Sequence, residues 1–582
     1  MEKPAETTAP VPKDSTRTDA FLENLLKQYP RYFDTILKNR KDWNVQFIYT
    51  QIDKGANGIP VLKNHYFNLN AASYFYPAST IKFPVSILAL QRLNELKIKG
   101  LDRNTTMITG DGFSGQTPVY NDPTTPDGKP TIAQYIKKIL MVSDNDAYNR
   151  LYEFLGQQYI NDELHKRGYG DVQLLHRLSI FLSQEENRHT NPIKFLDAQN
   201  NTVYDQPMQY NTQQYLQRND SVGTGFLKGG QRINAPMDFS TKNRISLEDL
   251  HTILISLIFP SKVSAGQRFN LTADDRKFLL KYMSQLPTES TYPPYSADTA
   301  SYWPAYCKFL LFGSEKGELP KNIRIFNKVG DAYGQLTDVA YIIDTEKKIE
   351  FFLSATIYCN QDGILNDDKY DYDNIGFPFM KNLGQVLYDY ELQRKKKVAP
   401  NFKDLIFDYD KPAAKPDWRT QWVRNSAVAF LISGLPLIYF DLQYFYGMYN
   451  IGALLEEYQL LNLHEVIHHD RYNQYPIVHH SSAIEGSSLT ENETRVLLEG
   501  DTTPKGKPFE HSLMVKGYYH ALLFTIEAAQ NKIPVTVDLV RGINARVMKT
   551  TGGGYIKQCW VKLMRRRGCS GKEMWVRVAV TL

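Results

Sequence analysis

The chain has 582 residues, more than the roughly 250–300 that one hydrophobic core serves, so we expect two folded units. Hydrophobic residues make up 42% and charged residues 23% of the sequence, proportions that exclude a disordered or fibrous chain. The formal net charge of +5 is small for this length, so it gives no reason to expect nucleic acid as a partner.

The four cysteines and the first residues give little information about ligands or compartment. None of the cysteines is spaced as in a zinc knuckle, so we predict no metal site. The first ten residues have no apolar stretch of the kind that a signal peptide needs, and we interpret residues 1–17 as a disordered polar tether. No signal peptide is therefore predicted, and the sequence alone leaves the localisation unknown.

The predicted elements of the first unit, residues 18–395, combine strands at both ends with helices between them. They are a helix within 18–40, a hairpin over 44–53 and 61–70, a long helix from near Ser79, a mostly helical, loop-rich region over about 130–290, three strands over 323–328, 335–344 and 349–359, and a helix over 377–394. A sheet built from both ends of a domain and covered by a helical cluster is an α/β sandwich.

Residues 396–447 separate this unit from a second pattern. Within this stretch, residues 426–440 are largely apolar, but about 15 residues interrupted by Pro436 fall short of the roughly 20 that a membrane helix needs. We therefore predict a linker and no membrane span. Amphipathic helices follow from residue 448 and predict a small all-α unit over 448–555.

A serine and a lysine three residues apart, in Ser79-Thr80-Ile81-Lys82, open the long helix of the first unit. Serine is a weak nucleophile and needs a neighbour that accepts its proton, and a residue three positions along a helix lies on the same face. Burial beside other cations would lower the pKa of Lys82 and make it a base. About two such tetrads arise by chance in a chain this long, so a plain helix start remains the alternative.

Two further motifs follow in order. Ser143-Asp144-Asn145 lies at a predicted helix junction, where it could be only a helix cap, and Lys328-Val329-Gly330 lies at a predicted strand end. The three motifs on helix, loop and strand resemble S-x-x-K, S-D-N and K-T-G of class A β-lactamases and penicillin-binding proteins. The resemblance implies the β-lactamase/transpeptidase-like fold, an antiparallel sheet flanked by helices, over residues 18–395, and it favours the periplasm.

The resemblance also implies a role for each matching residue. Ser79 would be the acylated nucleophile and Lys82 its base, while Ser143 would relay a proton to the leaving group. The remaining roles are a substrate carbonyl held by Asn145, a positive charge from Lys328, a strand edge kept open by Gly330, and an oxyanion hole formed by the backbone N–H groups of Ser79 and Asp331. The substrate would be a small-molecule or peptidoglycan-like acyl compound with an amide, lactam or ester bond, and no cofactor would be needed.

The sequence departs from the family pattern at two places. Val329 replaces the threonine whose hydroxyl helps to bind a substrate carboxylate, and no E-x-x-L-N pattern supplies the glutamate that activates a deacylating water. The nearest candidates for this base are Glu185 and Glu186, but a solvated charged loop is the favoured interpretation of these residues. Without a base, acylation proceeds while hydrolysis of the acyl-enzyme is slow. A penicillin-binding or sensor module with a long-lived acyl-enzyme is therefore the alternative to a hydrolase.

The second unit resembles the N-terminal region of Fic/DOC proteins, which transfer AMP to hydroxyl groups. Ser481, Glu485 and Gly486 match the family's inhibitory motif [S/T]-x-x-x-E-[G/N], and Glu485 could otherwise be a solvated helix carboxylate. The catalytic signature H-P-F-x-x-G-N-G-R is absent from the chain. We interpret this unit as an inactive AMP-transferase fragment, for which ATP and Mg²⁺ would matter only if it were completed. We interpret residues 556–582 as a basic tail that results from a frameshift. Residues 396–447 could be a read-through segment that joins two reading frames.

Overall fold

A computed structural model describes residues 16–55, 57–228, 231–409, 474–484, 487–500, 509–531 and 537–548. Within the chain, contacts define two compact units, Met1–Lys415 and Pro416–Leu582. The tail over 556–582, the segment 426–440 and most of the predicted tether and linker lie outside the described residues.

The first unit is built on one antiparallel sheet of five strands in the order β10-β11-β12-β1-β2. The strands are β1 (Gln46–Lys54), β2 (Pro60–Phe67), β10 (Ile323–Ala332), β11 (Gln335–Asp344) and β12 (Ile349–Tyr358). Every residue of β11 and nearly every residue of β12 is buried, as expected for inner strands with both faces covered. The sheet therefore joins the two ends of the unit, as the sequence predicts.

Helices cover both faces of this sheet. On one face lie α1 (Ala20–Lys27), α2 (Pro30–Lys38) and α10 (Phe377–Gln393). The other face carries the larger helical cluster of α3 (Lys82–Leu96), α4 (Ile132–Val142), α5 (Asn145–Leu155), α6 (Gln157–Lys166), α8 (Leu247–Ile258) and α9 (Ala273–Ser284). The predicted α/β sandwich with an antiparallel sheet is confirmed.

Helix α3 lies in the middle of the helical cluster. Eleven of its 15 residues are buried, which is typical of a helix that is surrounded by other elements rather than lying at the surface. Pro84 falls in its first turn, where a missing backbone N–H leaves no bond unmade. A short 3₁₀ turn, Ala78–Ile81, precedes the helix and carries Ser79.

The region over 130–290 is less helical than the sequence predicts. It contains the short helix α7 (Gln184–Arg188) and six short strands, β4 (Ile193–Leu196), β5 (Thr202–Gln206), β6 (Ser221–Val222), β7 (Gly225–Lys228), β8 (Gln231–Ile233) and β9 (Met237–Asp238). They pair with each other, with β3 (Thr106–Thr109) and with β13 (Ile364–Leu365) in three small sheets. Strands of two to five residues are too short to show a clear alternation of apolar and polar residues.

The described part of the second unit consists of α11 (Gln474–Ile484), α12 (Glu491–Gly500), α13 (Phe509–Gln530) and α14 (Val537–Met548). Val478, Leu489, Leu497, Val515 and Tyr518 form its small core. The resemblance of this unit to Fic/DOC proteins remains a prediction. Among the described helices of both units, none is long and apolar enough to cross a membrane.

Candidate active site

Ser79 lies in the 3₁₀ turn that leads into α3. Ala78 has a positive φ of 46°, and Thr80 fixes the turn by donating from both its backbone N–H and its hydroxyl to the Pro77 carbonyl, at 3.0 and 2.6 Å. The regular helix starts at Lys82, so the serine precedes the helix rather than lying in its first turn as predicted. Ser79 is partly exposed, whereas Lys82 is completely buried.

Ser143, Asp144 and Asn145 form the junction between α4 and α5. Ser143 adopts the left-handed conformation with φ 62° and ends α4, while the Asp144 carboxylate caps α5 by accepting the Ala147 N–H at 2.8 Å. The sharp turn between the two helices lets Ser143 and Asn145 face the same neighbour, Lys82. The motif therefore caps the two helices and also brings Ser143 and Asn145 together at Lys82.

The amino group of Lys82 is held by this junction. It donates to Asn145 Oδ1 at 2.7 Å, to Ser143 Oγ at 3.3 Å and to the Ser143 carbonyl oxygen. Burial holds the pKa of Lys82 well below its usual range, and the nearby positive charge of Lys328 lowers it further. The lowered pKa makes the neutral, proton-accepting form of Lys82 more accessible than that of an ordinary lysine.

Lys328 reaches the same serine from the sheet. Its amino group donates to Ser143 Oγ at 2.7 Å and to the Val329 carbonyl at 2.8 Å, and the side chain is 2% exposed. Burial lowers the pKa of Lys328 to about 8. The Ser143 hydroxyl thus connects two buried amino groups, and we call Lys82, Ser143, Asn145 and Lys328 the lysine–serine cluster.

Gly330 is where the edge strand β10 approaches the serine turn. A Cβ atom on this residue would lie 2.7 Å from the Pro77 carbonyl oxygen and 2.9 Å from the backbone nitrogens of Ser79 and Thr80. All three are backbone atoms, so only glycine permits this approach. The strand continues to Ala332 instead of ending at the motif, and Asp331 is therefore a strand residue next to the point of contact.

Val329 does not face the cluster. Its side chain is 2% exposed and belongs to the core that packs between the sheet and α10. Successive strand residues point to opposite faces, which places Lys328 and Gly330 on one face and Val329 on the other. The valine is thus accounted for by packing, and the missing threonine hydroxyl is not replaced at this position.

Glu185 and Glu186, the possible deacylation bases, lie on α7 and are not brought to the cluster. Glu186 closes a capping box with Ser183 and accepts the Ser114 hydroxyl at 2.9 Å, and these hydrogen bonds hold its pKa below the usual range. The side chain of Glu185 is 56% exposed and accepts the Tyr210 hydroxyl at 3.3 Å. Their predicted role as a base gains no support from these contacts.

A different residue contacts the cluster from this loop. The Asn145 amide donates to Ser179 Oγ at 2.8 Å, and Ser179 is exposed with a positive φ of 53°. The neighbouring Leu178 is fixed by two backbone hydrogen bonds with the Asn149 side chain, at 2.8 and 2.9 Å. Ser179 could not be predicted from the sequence, because a single serine in a loop belongs to no motif.

A buried group of charges anchors the same loop. Glu153 on α5 pairs with Arg177 at 2.9 Å and with Arg150 at 3.1 Å, and all three side chains are at most 2% exposed. Arg177 also donates to the His189 carbonyl at 2.9 Å, and Arg150 donates to the Thr117 carbonyl at 2.7 Å. These contacts fix the chain on both sides of Ser179 to the helical cluster.

Two other predictions concern ligands. In the described ranges, no three His, Cys, Asp or Glu side chains are grouped so that they could hold a metal ion. Of the Fic-type motif, Ser481 lies in α11, while Glu485 and Gly486 lie outside the described residues.

Comparison with known proteins concerns the first unit. Residues 30–390, more than half of the chain, match the model of a β-lactamase enzyme family. None of the curated proteins compared with the chain matches it.

The solved structures to which the chain is similar share little sequence with it. A mutant of PBP-A in its acyl-enzyme complex with penicillin G is 14% identical, with 64% of this chain and 98% of that chain covered and a TM-score of 0.36. A β-lactamase from Xanthomonas campestris is 13% identical, with 64% and 100% covered and a TM-score of 0.34. A β-lactamase from Desulfarculus baarsii is 14% identical, with 62% and 98% covered and a TM-score of 0.35.

Proposed function

This chain belongs to the β-lactamase enzyme family, and we propose that it is a serine hydrolase that forms an acyl-enzyme on Ser79. The observation that carries the proposal is the Ser143 hydroxyl, which joins the two buried amino groups of Lys82 and Lys328. Such an arrangement has no evident structural benefit, because burying two neighbouring ammonium groups is unfavourable.

The proposed reaction starts with neutral Lys82, which takes the proton of the Ser79 hydroxyl as its oxygen attacks the substrate carbonyl carbon. Negative charge then develops on the carbonyl oxygen, where the backbone N–H groups of Ser79 and Asp331 would stabilise it. When the bond to the leaving group breaks, the Ser143 hydroxyl gives it a proton and is reprotonated from Lys82. The cationic Lys328 orients this hydroxyl, and the acyl group stays on Ser79.

A second candidate, a penicillin-binding or sensor module, differs only in the fate of the acyl group. It is favoured by Ser179, because a hydroxyl rather than a carboxylate accepts the Asn145 amide. A serine hydroxyl does not take a proton from water at neutral pH, whereas a carboxylate can act as a general base. Slow release of the acyl group is the expected consequence.

Incubation with a fluorescent penicillin, followed by mass spectrometry of the labelled peptide over time, tests both candidates. Stable label on Ser79 indicates the sensor, and rapid loss of label indicates hydrolysis. We expect Ser79→Ala to abolish labelling. Ser114→Ala changes an exposed serine outside the cluster and should leave labelling unchanged. Label on another residue, or label that persists in Ser79→Ala, would contradict the proposal, and an unlabelled wild-type chain would remove β-lactams from its substrates.

A further inference from the structure

Strand β10 carries a second buried polar group on the face opposite to Lys328. Asn327 immediately precedes this lysine, and consecutive strand residues point to opposite faces. Asn327 is 1% exposed and Lys328 is 2% exposed. A polar side chain this deeply buried is unfavourable unless all its hydrogen bonds are made, so its partners show what it does.

The amide of Asn327 connects a buried cation to a buried anion. Its oxygen accepts the Lys308 amino group at 2.6 Å, and its nitrogen donates to Asp338 Oδ1 at 2.8 Å and to the Cys307 carbonyl at 2.9 Å. Lys308 also donates to the carbonyls of Met283 and Ile325, at 2.8 and 3.0 Å. Burial lowers the pKa of Lys308 to about 8, so its amino group is still mostly a cation near neutral pH.

Asp338 is the anion of this group and lies on β11 directly opposite Val329. Its second oxygen accepts the backbone N–H groups of Phe309 and Leu310, at 3.2 and 3.0 Å. Every polar partner of the carboxylate is thus a donor, which is the pattern of an ionised carboxylate. Burial nevertheless raises its pKa to about 6.

We propose that the buried chain Lys308–Asn327–Asp338 is a positioning network for Lys328: it fixes the strand segment that places the lysine amino group on Ser143, and Asp338 supplies negative charge that keeps this amino group a cation. This inference rests on the proposed function at one point only, namely that Lys328 belongs to the cluster that reacts. None of the three residues touches the serine turn or the cluster by a hydrogen bond. They act through Lys328.

The charges around Lys328 show why Asp338 matters for its protonation. The other cation nearby is Lys82, from α3. The titratable groups that favour the charged form of Lys328 or Lys82 are Asp144 at the α4–α5 junction, Cys307 before β10, Asp331 on β10 and Asp338 on β11. Burial raises the pKa of the Cys307 thiol to about 11, so it is uncharged near neutral pH. Carboxylates must therefore balance the two lysines. Asp331 acts on Lys328 more strongly than Asp338 does but is exposed, whereas Asp338 is completely buried and is screened less by solvent.

The test measures the protonation of Lys328 directly in the full-length chain. Lysine labelled at Cε and Nζ is followed by NMR during a pH titration, and the Lys328 signal is identified by its absence in Lys328→Met. We expect the Lys328 signal to titrate with a midpoint near pH 8 in the wild type, because burial lowers the pKa of Lys328 to about 8. In Asp338→Asn this midpoint should be lower by on the order of half a pH unit or more. The matched control is Asp344→Asn, a fully buried carboxylate at the far end of the same strand, which should leave the midpoint unchanged.

An unchanged midpoint in Asp338→Asn, or an equal change in Asp344→Asn, would overturn the inference. If Asp338→Asn does not fold, the double variant Lys308→Gln/Asp338→Asn, which removes the cation and the anion of the network together, replaces it and should also lower the midpoint of the Lys328 titration. A midpoint that does not decrease in this double variant would equally overturn the inference.

Penicillin labelling across the same pH range separates this inference from the proposed function. A merely structural role would lower the labelling rate at every pH, whereas the proposed role moves the alkaline limb of the profile together with the NMR midpoint. An unlabelled wild-type chain in which the Lys328 midpoint still decreases in Asp338→Asn contradicts the β-lactam substrate and supports the network.

Discussion

The lysine–serine cluster has its two amino groups in different environments, although both are buried. Lys82 makes all its hydrogen bonds to the Ser143–Asn145 junction. Lys328 belongs to strand β10, where the negative charges of Asp331 and Asp338 favour its protonated form. Two neighbouring ammonium groups repel each other, so protonation of one disfavours protonation of the other. We therefore expect neutral Lys82 and cationic Lys328 in the active form.

This assignment predicts a bell-shaped pH dependence of acylation. The rate rises as the pH exceeds the lowered pKa of Lys82 and falls as Lys328 loses its proton near its pKa of about 8. Lys328→Arg keeps the positive charge, because the guanidinium remains protonated at all accessible pH values. Measured as the second-order rate of penicillin labelling, the alkaline limb near pH 8 should disappear in this variant, and its persistence there would show that another group causes it.

At the residue scale, the sequence predicts side chains that belong to motifs, and it does not predict Ser179, which belongs to none. Ser79, Ser143 and Lys328 could be proposed as site residues because the order and spacing of three short motifs are informative. Ser179 contacts Asn145 across 34 residues of chain through one hydrogen bond, and nothing local in the sequence encodes that contact. Its position depends on how Arg177 and Leu178 are anchored in the folded helical cluster.

At the scale of elements, the site depends on how closely β10 packs on the serine turn. In Gly330→Ala, the new methyl group would lie within 3 Å of three backbone atoms of residues 77–80, so strand and turn would have to separate. We expect the labelling rate to fall by at least about tenfold and the melting temperature to decrease. Gly317→Ala, with open space around its Cβ position, is the control, and wild-type labelling of Gly330→Ala would show that the close approach is unnecessary.

The loop that carries Ser179 depends on the buried charges of α5. Glu153→Gln leaves Arg150 and Arg177 buried without their shared anion, which typically destabilises a protein by about 3–5 kcal/mol. The exposed pair of Asp34 and Lys38, with side chains 51% and 70% exposed, provides the control. Asp34→Asn should change the free energy of unfolding by less than about 0.5 kcal/mol. Urea unfolding measures both variants, and an equal effect in the two would contradict the role of Glu153 as an anchor.

Long elements could be predicted from the sequence better than short ones. The alternation within β11 and β12 and the spacing of apolar residues in α10 extend over ten or more residues, and their predicted bounds agree with the structure within two residues. The strands β4 to β9 have at most five residues each. Their pairing is decided by tertiary contacts such as the parallel pair of β13 and β7, which are distant in the chain.

At the scale of the whole molecule, the chain length predicts two folded units, and contacts divide the described chain into two. The two units differ in how many residues can be connected to a function. The first contains the family match and all the residues of the lysine–serine cluster. For the second, a resemblance to Fic/DOC proteins remains a prediction, because two of the three motif residues lie outside the described part.

The first unit includes a segment beyond its last helix. Phe402 is 3% exposed and Phe407 is 8% exposed, and both belong to the core between the sheet and the helical cluster. Tyr409 follows, with its hydroxyl 2.9 Å from Ser284 Oγ and its ring under the Arg324 guanidinium at 4.3 Å. The predicted boundary at residue 395 therefore leaves out residues that stabilise the unit.

A comparison of two shortened chains, 16–395 and 16–409, measures this stabilisation. Burying a phenylalanine is worth roughly 1.5–3 kcal/mol, so we expect the shorter chain to have a free energy of unfolding lower by about 3–6 kcal/mol in urea. The longer chain should be labelled by penicillin at the rate of the full-length protein, because the cluster residues lie on elements that it retains in full. Phe402→Ala in the longer chain should reproduce about half of the loss, and equal stability of the two shortened chains would show that the segment is not part of the folding unit.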